Sequence, residues 1–127
     1  MIRIEALAEG IAKYSGYHDP EHEAYRTRNP LALRAVSLRH PKLDSGIRVF
    51  RSVLDGMQAG IMDLRLKCSG ASRSRLTEHS TITHLMLAYG FPETMADPVA
   101  KYVRRALNDA TVTKNTELGY FKDSDNG

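Results

Sequence analysis

The chain has 127 residues, room for one domain and too few for two substantial ones. Hydrophobic residues make up 42%, enough for a core and against wholesale disorder, and no window nears the ~20 apolar residues of a membrane span. Eighteen basic and 15 acidic side chains leave a formal net charge of +3, which argues against a dedicated nucleic-acid binder, and the single cysteine, Cys68, excludes an internal disulfide.

Ile4, Leu7, Ala8, Ile11 and Ala12 recur at helical spacing and predict a first helix, with Gly16 as its C-terminal stop. Ser15 falls four residues past Ile11, at the end of that buried stripe. Residues 17–32 read as a polar loop, broken by Pro20 and by Asn29-Pro30. Leu33–Val36 and Ile47–Phe50 are strand candidates, and the turn-like stretch Ser37–Gly46 between them predicts a small β-hairpin. Ser52 then caps a helix, with Asp55 three residues on and Val53, Met57, Ile61 and Leu64 on its buried face. It ends near Ser69-Gly70, before the basic stretch Ser72-Arg73-Ser74-Arg75. Ser80 is the expected cap of a further helix through Tyr89, stopped by Gly90 and Pro92. Asp97-Pro98 marks the next start, with Val99, Tyr102, Val103 and Ala106 as its apolar stripe. A short element near Thr113–Phe121 precedes a polar tail. The expected fold is α+β, mainly α, with a small β-hairpin after the first helix, in one domain over residues 1–121 followed by the tail 122–127.

Several strings, in this order, resemble a family of lysozyme-like cell-wall hydrolases encoded by phages and prophages. In that family the opening helix ends in Glu-Gly, and an Arg-Asn-Asn-Asn-Pro-Gly-Asn-Leu type string leads into a hairpin. Here Ile11-Ala12-Lys13-Tyr14-Ser15-Gly16 and Arg26-Thr27-Arg28-Asn29-Pro30-Leu31-Ala32-Leu33 stand at those places. Phe50-Arg51-Ser52 with Asp55-Gly56 matches a later string, as do Asp63-Leu64 with Lys67, Gly70-Ala71-Ser72, and Ser80-Thr81-Ile82 with Leu85 and Tyr89-Gly90. The likeness spans residues 4–118. The departures gather at one place: Ser15 replaces the catalytic Glu, Thr27 and Arg28 replace two asparagines, and Leu31-Ala32 replaces Gly-Asn.

The resemblance implies a lysozyme-like domain, a peptidoglycan or other glycan strand as ligand, and a peptidoglycan glycosidase (muramidase or lytic transglycosylase) as the ancestral activity. Cleaving a glycosidic bond requires a carboxylic acid of raised pKa to protonate the leaving oxygen. A serine hydroxyl cannot donate that proton, and losing a general acid costs about 10²–10⁴ in rate. As a nucleophile Ser15 would need a base, with His18 nearest in sequence, but no complete triad is visible. The expectation is therefore a domain without muramidase activity that binds glycan or a phage or host protein. The alternative keeps activity through Glu21 or Glu23, from the acidic loop His18-Asp19-Pro20-Glu21-His22-Glu23, whose simpler reading is a solvated surface. A third reading gives the cleft to an unrelated ligand.

Tyr14, Tyr17, His18, Tyr25, Arg26 and Asn29 are the expected cleft residues, aromatics being suited to stacking on sugar rings. Glu9 lies almost two turns before Ser15 and is a poorer acid. His18, Asp19, His22 and Glu23 fit no standard zinc spacing, so neither metal nor cofactor is expected. His84 reads as a packed or surface histidine, Arg73, Arg75, Arg104 and Arg105 as exposed cations, and Cys68 as a small buried hydrophobe. With no signal peptide at Met1–Glu5, the chain is expected in the cytoplasm as synthesised, then in a virion or released to the wall.

Overall fold

The computed structural model describes residues 2–34, 45–71 and 75–122. Among them the chain is mainly helical. Six α-helices follow in order: α1 (Arg3–Tyr14), α2 (Glu23–Arg26), α3 (Val53–Cys68), α4 (Ile82–Ala88), α5 (Ala96–Leu107) and α6 (Gly119–Lys122), with one 3-10 turn (Glu93–Met95) before α5. No helix among the described residues is long and apolar enough to cross a membrane.

α1 is the central element. Its expected stripe is fully or almost fully buried, and Ala6 and Gly10 are buried as well, so more than one face is covered. Gly10 explains the extra coverage. A Cβ there would stand 3.2 Å from the Tyr102 ring and 3.4 Å from Val99, so the missing side chain lets α5 close onto α1. α5 contributes Ala96, Val99, Ala100 and Val103 to the same continuous core, which α3, α4 and α6 complete with Leu64, Cys68, Leu85, Met86 and Phe121. Each fully buried Ile, Leu, Val or Phe of this cluster contributes about 1.5–3 kcal/mol.

α3 begins as expected, the Ser52 hydroxyl accepting from Asp55 N–H at 3.1 Å. Its buried face matches expectation at Leu64, with Met57 and Ile61 half-buried against the core, and differs elsewhere. Val53 is 38% exposed, and Gly56, Gly60, Leu64 and Cys68 form the inner edge. A Cβ on Gly56 would lie 2.0 Å from the Arg28 carbonyl oxygen, and one on Gly60 3.0 Å from Leu31. The two glycines make a groove in which the segment 28–31 lies directly on the helix. Apolar periodicity misses that face because glycine carries no hydrophobic side chain.

The stretch read as loop contains the single turn of α2, closed by Thr27 N–H and hydroxyl donating to Glu23 O and by Asn29 N–H donating to Ala24 O at 3.0 Å. Four residues are too few to show a period. α4 is capped by Thr81, not Ser80. Thr81 and His84 form a capping box, each accepting from the other's backbone N–H, while Ser80 Oγ accepts from Thr77 N–H. α5 starts at Ala96, ahead of the expected Asp97-Pro98 signal, because the 3-10 turn runs into it. α6 reaches Lys122, one residue into the expected tail.

Residues 35–44 of the expected hairpin, residues 72–74 of the basic stretch and residues 123–127 of the tail lie outside the described residues. The described flanks of the hairpin are joined by Arg48 N–H donating to Leu33 O at 2.9 Å, and no sheet is present among the described residues. The only bridge between described residues joins Thr81 and Glu117, tying the cap of α4 to the segment before α6.

Candidate functional site

Ser15 is the C-cap of α1 and Gly16 follows it with φ +91°. The left-handed turn sends the chain back over the helix end. Asp19 N–H donates to Gly16 O and His22 N–H to Asp19 O, both at 2.9 Å. A Cβ on Gly16 would stand 2.5 Å from the His22 ring, so both the φ and the space require glycine. This reversal delivers His22 and Glu23 to the same hollow as Ser15.

That hollow is a cleft of about 510 Å³. Tyr14 and Ser15 form one rim and His22, Glu23 and Ala24 the next. Ala32, Arg34 and Ile47 line it from the segments either side of residues 35–44, and Tyr89, Gly90 and Phe91 from the end of α4. The 3-10 turn and the start of α5 close it with Met95 and Pro98. The surface is aromatic and aliphatic with a few polar groups, the composition that holds small ligands and sugar faces.

The Ser15 hydroxyl donates to Ala12 O at 3.0 Å, an ordinary helix-end bond. Glu23 Oε2 accepts from the Ser45 hydroxyl at 3.3 Å, and Glu23 is the one carboxylate among the described lining residues. Glu21 is exposed, outside the lining, and its backbone N–H donates to Asp19 Oδ1. Tyr17 and His18 meet in a tilted ring contact, centroids 4.0 Å apart, and line a different hollow with Glu9, Lys13, Met57 and Tyr102. Tyr25 and Arg26 are exposed and border neither. Of the expected site residues, then, Tyr14, Ser15 and Glu23 come together. No group of three His, Cys, Asp or Glu able to hold a metal occurs among the described residues.

Asn29 is 0% exposed, and its side chain is occupied by the backbone. Nδ2 donates to Leu33 O and Arg48 O, and Oδ1 accepts from Leu33 N–H, all at 2.9 Å. It clamps the two segments that bear Ala32, Arg34 and Ile47 and so shapes the cleft floor without reaching a ligand.

Arg34 is the main cleft residue that sequence reasoning missed. Its Nη1 donates to Tyr89 O at 2.9 Å, spanning from the 32–34 segment to the C-terminus of α4, where a cation meets the negative end of the helix dipole. Gly90, with φ +84°, leaves the space for it, since a Cβ there would stand 2.9 Å from Arg34 Nη1. The available signal was Gly90 itself, which reads as a stop and also acts as a seat. Tyr89 is fixed from below. Its hydroxyl donates to Asp63 Oδ2 at 2.6 Å, as does Lys67 Nζ at 2.6 Å, and burial first, then the Asp63 charge, push its phenol well above the usual range. No family model matches the chain, nor does any curated protein or solved structure.

Proposed function

We propose that the chain is a lysozyme-like domain, related to phage cell-wall hydrolases, that binds a glycan strand in the Ser15 cleft without cleaving it. One observation carries this reading: Ser15, at the family's acid position, lines an aromatic-edged cleft while its hydroxyl is spent on Ala12 O. No acid stands at the family position to protonate a leaving oxygen. Tyr14, Phe91 and Pro98 offer the faces on which sugar rings pack.

The loop backbone supports the same reading. Arg28 (φ +53°) and Ala32 (φ +54°) are two of the three non-glycine residues with left-handed backbone among those described. Both stand where the resembled string has asparagine, the non-glycine residue that adopts this conformation most readily. The retained Asn29 supplies the clamp.

The test is a sedimentation pull-down on insoluble peptidoglycan together with a turbidity assay. Retention without clearing is expected of the native chain, and clearing is expected to appear with Ser15→Glu. Clearing by the native chain that vanishes with Glu23→Gln would replace this reading with an active glycosidase. That second reading has one observation in its favour, that Glu23 borders the Ser15 cleft and Glu21 does not. A folded chain that peptidoglycan does not retain would refute glycan binding and leave a protein partner for the cleft.

A further inference from the structure

Tyr14 and Pro98, which wall the Ser15 cleft, also border a further open hollow of about 610 Å³ between α1 and α5. Its α5 wall is Pro98, Lys101, Tyr102, Arg105 and Ala106, spaced i, i+3, i+4, i+7 and i+8, so a single helix face builds it. Lys13 and Tyr14, from the last turn of α1, complete the lining. Three cations and two aromatic rings therefore face one hollow, and no carboxylate lines it among the described residues.

The cations are only partly compensated. Lys101 Nζ lies 3.2 Å from Asp97 Oδ2, an exposed pair that water screens. Neither Lys13 nor Arg105 has a carboxylate within ion-pair distance among the described residues. Lys13 Nζ instead sits 5.6 Å from the Tyr14 ring centroid and 5.4 Å from that of Tyr102, which holds the ammonium at the mouth between the rings. Glu9 lies in the adjoining hollow and accepts from the Tyr102 hydroxyl at 3.0 Å. Burial first, then that bond, push the Tyr102 phenol above its usual value.

We infer that this cavity is an anion site, taking a carboxylate or phosphate carried on a ring small enough to lie against Tyr14 and Tyr102. Arg105 supplies a planar two-point donor to the anion, Lys13 and Lys101 supply charge, and the tyrosines supply the face. The site shares Tyr14 and Pro98 with the wall of the Ser15 cleft, but its cations, Lys13, Lys101 and Arg105, do not line that cleft.

Backbone amide NMR of the native chain, titrated with glucuronate, glucose 6-phosphate and neutral glucose, tests it. The buffer is of low ionic strength, where charges act over about 30 Å. The amides of Lys13, Tyr102 and Arg105, none of which lines the Ser15 cleft, are expected to shift with the charged sugars and not with glucose. Binding by one of the two anions alone supports the site and assigns its ligand as carboxylate or phosphate. Lys13→Ala and Arg105→Ala, both at exposed positions that leave the core intact, are each expected to weaken binding about tenfold, the usual worth of one charge-assisted bond. The inference is overturned if glucose binds as well as the anions do. It is equally overturned if neither anion shifts these amides, if the shifts fall on Ser15, Glu23 and Phe91 instead, or if Lys13→Ala and Arg105→Ala both keep native affinity.

Discussion

Replacing Asn29 by alanine tests whether this residue is a clamp or a ligand contact. The side chain makes three bonds at 2.9 Å in a site closed to solvent, and their losses are unequal. Leu33 N–H is buried and loses its acceptor, a cost of about 1–3 kcal/mol. Leu33 O keeps the Arg48 N–H, and the bond to Arg48 O is only partly buried, so these two losses cost about 0.5–1.5 kcal/mol each. Asn29→Ala is therefore expected to destabilise the chain by about 2–6 kcal/mol, a large part of the 5–15 kcal/mol typical of a domain. Urea unfolding followed by far-UV circular dichroism measures it, with the midpoint falling and the slope unchanged. Asn29→Asp keeps the shape and one acceptor but turns the donor into an anion facing two carbonyls, and it should lose at least as much at neutral pH. A change below about 0.5 kcal/mol in Asn29→Ala, the range of ordinary surface substitutions, would refute the clamp and return Asn29 to the list of ligand contacts.

Gly56→Ala places a methyl 2.0 Å from the Arg28 carbonyl, backbone that cannot step aside cheaply, and about 3 kcal/mol or more should be lost in a thermal melt; a neutral change would mean segment 28–31 does not lie on α3. Ala32→Asn relieves a left-handed alanine and is expected to gain about 0.5–1 kcal/mol in urea unfolding, whereas a loss would show that the methyl's packing outweighs the backbone strain. Asp109 is held at a pKa of about 2 by the Thr111 hydroxyl first and then the Tyr120 hydroxyl. Its folded value is depressed below the ordinary 3.8, so its contribution is present above pH 3.8 and lost as pH falls through about 2. Asp109→Asn should thus differ from the native chain in urea at neutral pH and converge with it near pH 2, and a constant difference would contradict the assignment. Cys68 is fully buried, and burial first, then Asp63, push its thiol up to about 12. Thiol-reactive dye at mildly alkaline pH should label it only as fast as the chain unfolds, and prompt labelling of the folded protein would contradict its burial.

The helices were legible where an apolar period runs for three turns or more, as along α1 and α5, or where a cap is written in the sequence, as at Ser52. What escaped was decided by other forces. The inner face of α3 is made of glycines, whose contribution is an absence of atoms. α2 is a single turn held by Asn29 N–H and the Thr27 hydroxyl rather than by its own propensity. Thr81 displaced Ser80 as a cap because His84 stands three residues after it and can return the bond. The site was legible in part for a similar reason. Tyr14 and Ser15 were placed by their position at the end of a readable helix. Glu23 reaches the cleft because Gly16 reverses the chain, and Arg34 because Gly90 leaves it room; both depend on tertiary approach.

The departures from the resembled string take on a physical order in this light. Leu31 is fully buried against Gly60, a gain of about 1.5–3 kcal/mol over a residue without a side chain. Arg28 and Ala32 keep a left-handed backbone at about 1–2 kcal/mol each, a cost asparagine would reduce. The loop can tolerate that cost because its shape is set by Asn29, which holds Leu33 and Arg48 irrespective of what flanks it. The substitutions therefore exchange local conformational ease for core packing and leave the clamp intact. Under the proposed reading, such an exchange preserves the cleft as a shape while nothing maintains an acid at Ser15. Binding needs only the shape, whereas hydrolysis also needs the carboxyl group. Under that reading Ser15→Glu is the decisive substitution, for it supplies a carboxyl group at the cleft and leaves the clamped loop untouched.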